Sequence, residues 1–162
     1  MFVGALSRAS LLRCTVRRGV LFAALSICLI SFAVSRWVLW PVQVSGDSMT
    51  PTYQNGQPNF INKLAYLSRG PQRGDVVGVR VGRGDCYFKR IIGLPGEKIS
   101  FHRGTVLVNG QPLVEPYIEH PLLWILPPVQ LGPDDYFVMG DNRTASMLGA
   151  VARHSIVGKA MF

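Results

Sequence analysis

Cysteine is scarce in this 162-residue chain, which holds three, at Cys14, Cys28 and Cys86. One lies in a basic N-terminal stretch, one in an apolar run and one in the body, so a disulfide framework is excluded. Cys86 stands three positions before Lys89, but no Cys/His pattern surrounds it, and it reads as a small buried strand residue. Histidine is equally rare: His102, His120 and His154 have no metal-ligand spacing, and no metal is expected. Acids number nine against seventeen Lys and Arg, and residues 1–40 contain none. Those forty residues carry five arginines of a net charge of +8, leaving +3 for the rest (8 − 5), so the basicity is mostly a topology signal. Without an aromatic-interleaved basic stripe or zinc-finger spacing, no nucleic-acid partner is implied. Gly93-Leu94-Pro95-Gly96-Glu97-Lys98 lacks the spacing and the Ser/Thr of a phosphate loop. Repeats and low-complexity linkers are absent as well.

The longest feature present is an apolar run. From Gly19 to Ser35 no charge interrupts a stretch rich in Leu, Ile, Val, Phe and Ala, at the short end of what spans a bilayer. Extending it through Trp37 and Trp40 makes the span sufficient, with the tryptophans at the interface, Arg36 reaching toward headgroups and Pro41 stopping the helix. Arg8, Arg13, Arg17 and Arg18 precede it, which keeps the N-terminus on the cytoplasmic or matrix side and puts the body across the membrane. The organisation expected is a basic segment over 1–18, an anchor over 19–40 and a body over 41–162. Two competing readings are a cleavable export signal, with Ala33-Val34-Ser35 as the cut site, and an organelle-targeting start.

Beyond Pro41 the pattern is extended. Strands are expected over 74–81, 86–92 and 98–101, and Asn109-Gly110 between apolar runs is a hairpin signal. Seventeen glycines and eleven prolines leave little room for long helices, so the class is mainly β, a compact antiparallel body behind one N-terminal helix. Leu122-Leu123-Trp124-Ile125-Leu126 reads either as a buried strand or as a loop dipping into the bilayer.

Three boxes carry chemistry. Ser45-Gly46-Asp47-Ser48-Met49-Thr50-Pro51-Thr52 sets a serine in a turn just after the apolar segment. Tyr87-Phe88-Lys89-Arg90-Ile91-Ile92 sets a lysine among aromatic and apolar neighbours, and Phe137-Val138-Met139-Gly140-Asp141-Asn142-Arg143 follows. A serine hydroxyl becomes a useful nucleophile only when a base takes its proton. A lysine can serve if it is neutral, and lowering its pKa by roughly 3 units requires about 4 kcal/mol, which burial can supply. Lys63, Lys98 and Lys159 lie in more polar or turn-like contexts than Lys89.

In this order behind a membrane segment, the boxes resemble the type I signal (leader) peptidases and the related mitochondrial inner-membrane proteases. The resemblance covers roughly residues 41–160 and implies a Ser/Lys dyad of Ser48 and Lys89, an antiparallel β fold, no cofactor, and precursor proteins with signal peptides as substrates beside membrane lipid. It places Ser146 beside the lysine, retains Asp141 and Arg143 in the last box, and puts Gly46 where some members have a hydroxyl that assists the Ser48 amide in oxyanion stabilisation. The Asp-Ser-Arg run usual after that box is missing here, where Ser146 leads directly into Met147-Leu148-Gly149. The expected activity is a membrane-anchored serine endopeptidase on the outer face of a bacterial inner membrane. Alternatives are a mitochondrial inner-membrane protease facing the intermembrane space and a noncatalytic anchored β domain that captures extended peptides.

Overall fold

A computed structural model of the chain describes residues 5–82, 85–118, 127–146 and 149–161. They form two compact units that meet in sequence between Val38 and Leu39. The first holds helix α1, Ala5–Trp37. Its Gly19–Trp37 part has a mean hydropathy of 1.9 and is long and apolar enough to cross a membrane. Val20, Phe22, Ile27 and Phe32 are all exposed, which suits a helix whose solvent is hydrocarbon.

The helix ends earlier than Pro41, where the sequence suggested a stop. Leu39–Gln43 is strand β1, so Trp40 and Pro41 belong to the body. Proline has no N–H to give a ladder, and β1 tolerates it because it lies at a sheet edge. Trp40 packs partly buried against a core cluster, and the Lys63 ammonium sits 5.5 Å from its ring centre.

The body is antiparallel throughout its described pairings. One sheet contains β1, β2 (Pro58–Asn62), β3 (Val76–Val81), β4 (Asp85–Gly93), β9 (Asp135–Met139), β10 (Gly149–Ala152) and β11 (Ile156–Ala160). Their order is β1-β2-β11-β3-β4-β9-β10. The second, in the order β7-β6-β5-β8, is built from β5 (Lys98–His102), β6 (Thr105–Val108), β7 (Gln111–Pro112) and β8 (Val129–Gln130). The mainly β expectation holds, and the three anticipated strands are β3, β4 and β5. Asn109 and Gly110, at φ 52° and 82°, make the two-residue turn between β6 and β7.

Ile92, Ile99, Val106, Leu131, Phe137 and Met139 form a cluster shared by the two sheets. Gly93 lets the sheets approach: a Cβ there would lie 2.7 Å from Ile99 Cδ1 and 2.8 Å from Leu131 Cδ1. Beside it the β4–β9 register shifts between Ile91 and Gly93, so β4 bends at its C-terminal end, just past Lys89. A second cluster joins Val44, Met49, Tyr53, Ile61, Val76 and Phe88 under the Ser48 turn. The apolar stretch 122–126 lies outside the described residues.

Candidate active site

The turn bearing Ser48 is pinned at its base and plugged from below. Val44 N–H donates to Gln57 O and Gly56 N–H to Val44 O, at 2.9 and 2.8 Å. Gly46, at φ 86°, donates its N–H to Asn55 Oδ1 at 3.1 Å, a positive-φ position suited to glycine. Met49, 1% exposed, inserts into the core and so fixes the residue beside it. Thr50 N–H reaches Asp47 O and Tyr53 N–H reaches Met49 O, closing the loop.

Lys89 arrives from β4. Strand alternation is interrupted here, with Phe88 and Lys89 both buried, and Val77 is the residue opposite Lys89 on β3. The lysine Nζ lies 2.7 Å from Ser48 Oγ, across 41 residues of sequence. Burial drives the Lys89 pKa below its ordinary value, and the negative charge of Asp141 opposes that shift in part. A neutral amine at this distance can accept the serine proton.

Asp141 is itself held by a fork. Arg90 Nε donates to Oδ1 at 2.8 Å and Nη2 to Oδ2 at 2.5 Å, and the Thr52 hydroxyl adds a third bond at 2.5 Å. This ties the Ser48 turn, β4 and the Gly140–Arg143 turn together. Asn142 N–H donates to Ser48 O at 3.0 Å. Ser146, also buried, accepts the Gly140 N–H at 2.6 Å. A Cβ on Gly140 would stand 2.1 Å from Ser48 O and 2.5 Å from Ser146 Oγ, so glycine is required for this approach.

Ser48, Lys89, Asp141 and Ser146 are therefore brought together. Gly46 lies in the same loop, with open space where a side chain would begin and its amide committed to Asn55. Among the described residues the Ser48 amide donates to no carbonyl or side chain, which leaves it available to an oxyanion. His102 and His154 are exposed on β5 and on the short turn before β11, and His120 lies outside the described residues.

An open cleft runs up to the serine, with Val42–Ser45 on one wall and Cys86–Phe88 on the other. Cys86 is half-buried in that wall, not sealed in the core as its size and surroundings suggested; burial raises its thiol pKa, with Arg80 partly opposing. β4 pairs with β3 from Asp85 to Arg90, whereas β9 pairs with it at Arg90, Ile91 and Gly93. The edge of β4 before Arg90 thus faces away from β3 with its ladder unfilled among the described residues.

Thr52 stood in the first box without a role, and Glu115 and Tyr117 escaped the sequence reading. Glu115 forms an ion pair with Arg143, and Tyr117 lies against Arg90. A clue was available: Glu115 is one of few acids in the body and sits between Leu113-Val114 and Tyr117-Ile118, where a carboxylate needs a partner.

Comparisons with known proteins place the chain in a family. The family model described as signal peptidase, peptidase S26 matches residues 17–162. Signal peptidase IB of Staphylococcus aureus is 31% identical over 155 residues, covering 82% of this chain and 81% of that protein. A probable signal peptidase I-1 of Synechocystis sp. is 34% identical over 139 residues, covering 78% of this chain and 71% of its own length. The crystal structure of a signal peptidase I from Enterococcus faecalis V583 aligns with a TM-score of 0.46 at 28% identity, over 56% of this chain and 97% of that one.

Proposed function

Because this chain belongs to the peptidase S26 signal peptidase family and is a serine peptidase, we propose that it removes signal peptides from exported precursors while anchored in the membrane by α1, with Ser48 as nucleophile and Lys89 as general base. The contact of 2.7 Å between a buried lysine amine and the serine hydroxyl carries this reading. The anchor would run with its arginine-rich end inside and the catalytic body outside.

The extended substrate lies along the free edge of β4, in the cleft beside Val44 and Phe88. Ser48 Oγ attacks the scissile carbonyl carbon as its proton moves to the neutral Lys89 Nζ. The carbonyl electron pair shifts to oxygen, and the Ser48 amide stabilises the resulting oxyanion. Collapse breaks the C–N bond, and the leaving amine takes the proton from the Lys89 ammonium. Water then attacks the acyl-enzyme with Lys89 again as base, and the serine recovers its proton.

Incubating the full chain in detergent with an exported precursor should give one shorter product, cut after a segment with small residues at its first and third positions before the break. Bulky residues at those positions should stop the reaction, and Ser48→Ala should give no product. A noncatalytic peptide-binding domain would retain the precursor uncut, and continued cleavage by Ser48→Ala would end the proposal.

A further inference from the structure

Glu115 lies in the loop after β7, outside all three boxes, yet its carboxylate is wholly engaged. Arg143 Nη2 donates to Oε1 at 2.5 Å and Nη1 to Oε2 at 3.2 Å, while the Tyr117 hydroxyl donates to Oε1 at 2.9 Å. Both partners of the ion pair are buried, with side chains 4% and 8% exposed. Arg143 Nε continues the chain to Gly140 O at 3.1 Å. The N–H of that same glycine holds Ser146, and its α-carbon is pressed against the carbonyl of Ser48. The Tyr117 ring lies 4.0 Å from the guanidinium carbon of Arg90, the residue that grips Asp141.

We infer that Glu115, acting through Arg143 and with Tyr117, is a positioning residue of the peptidase reaction: it locks the Gly140–Ser146 turn against Ser48 and Lys89. The inference rests on the Ser48/Lys89 reading above. Removing the carboxylate would leave a buried guanidinium uncompensated, and the cheapest relief is for Arg143 to leave, releasing the Gly140 carbonyl. Reaction geometry is sensitive to shifts of about 1 Å, so the loss falls on turnover more than on substrate binding in the cleft.

The test uses the full chain in detergent and an internally quenched peptide with alanine at the first and third positions before the cut. Glu115→Gln keeps the size and should lower kcat about tenfold or more with KM within about twofold. Arg143→Met should do the same, and the double variant should be no slower than the worse single one, since the two residues act as a unit. Glu97→Gln breaks a more exposed ion pair, with Arg73, that bonds neither Ser48, Lys89 nor the Gly140–Ser146 turn, and should leave kcat unchanged. Should Glu115→Gln fail to fold, Tyr117→Phe, which deletes one hydroxyl, should lower kcat about threefold at unchanged KM. Full activity in Glu115→Gln (or in Tyr117→Phe if it is the variant used), multiplicative effects in the double variant, or an equal kcat loss in Glu97→Gln would overturn the inference. Absence of cleavage by the wild-type chain would instead strike the dyad reading itself.

Discussion

Burying Lys89 costs the fold stability wherever the amine must carry a proton. Its folded pKa is depressed, so below that value both folded and unfolded chains are protonated and the native state bears the whole penalty. Between the folded and unfolded pKa values the unfolded chain binds more protons, and stability rises with pH. Above the ordinary lysine value, about 10.4, the penalty is gone. Lys89→Met should therefore be inactive yet more stable at neutral pH, by on the order of 1 kcal/mol or a few degrees in Tm. Thermal melts should show the gain shrinking as pH rises; a Lys89→Met protein less stable at neutral pH would mean that the lysine is held by partners outweighing its desolvation. At this scale Ser48 and Lys89, whose side chains meet, stood out as candidates because each is marked by its immediate neighbours, turn residues for one and apolar side chains for the other. Thr52 and Glu115 were not, since their partners stand 89 and 28 positions away and only folding reveals the pairs.

Among the elements, the turn from Gly140 to Ser146 does the joining between β9 and the Ser48 loop. Its backbone contact with Ser48 has no room for a methyl group, because the nearest atom to a Cβ on Gly140 is a main-chain oxygen 2.1 Å away. Gly140→Ala should move the Ser48 turn and lower kcat roughly a hundredfold. Ser146→Ala, which deprives the buried Gly140 N–H of its acceptor, should cost about 1 to 3 kcal/mol, or roughly ten- to a hundredfold in rate. Steady-state kinetics on the quenched peptide checks both, and a fully active Gly140→Ala would show that the close approach is dispensable. Strands β3, β4 and β5 and the Asn109-Gly110 hairpin followed from apolar patterning and turn chemistry. β1 did not: Leu39-Trp40-Pro41 continues the apolar helix in sequence, and it becomes a strand through pairing with Phe60 and Ile61 on β2. Cys86 was misplaced for a related reason, since a cleft wall made by β1 and β4 together has no local signature.

Taken whole, the molecule divides sharply in composition. Five of its excess positive charges fall in the first forty residues around the apolar helix, and the body is nearly balanced with a buried polar centre. That division was open to reading because charge and hydropathy need no tertiary contact to be seen. The proposed catalytic pair joins two distant stretches of the body, the turn before β2 and the middle of β4. The most direct measurement of that claim is the single-turnover rate of precursor cleavage across pH for the full chain and for Lys89→Arg. The wild-type rate should rise with pH through an acid limb below the ordinary lysine value of about 10.4, and Lys89→Arg should cleave at no pH, because a guanidinium stays protonated. Cleavage by Lys89→Arg at a rate near that of the wild type would contradict the account.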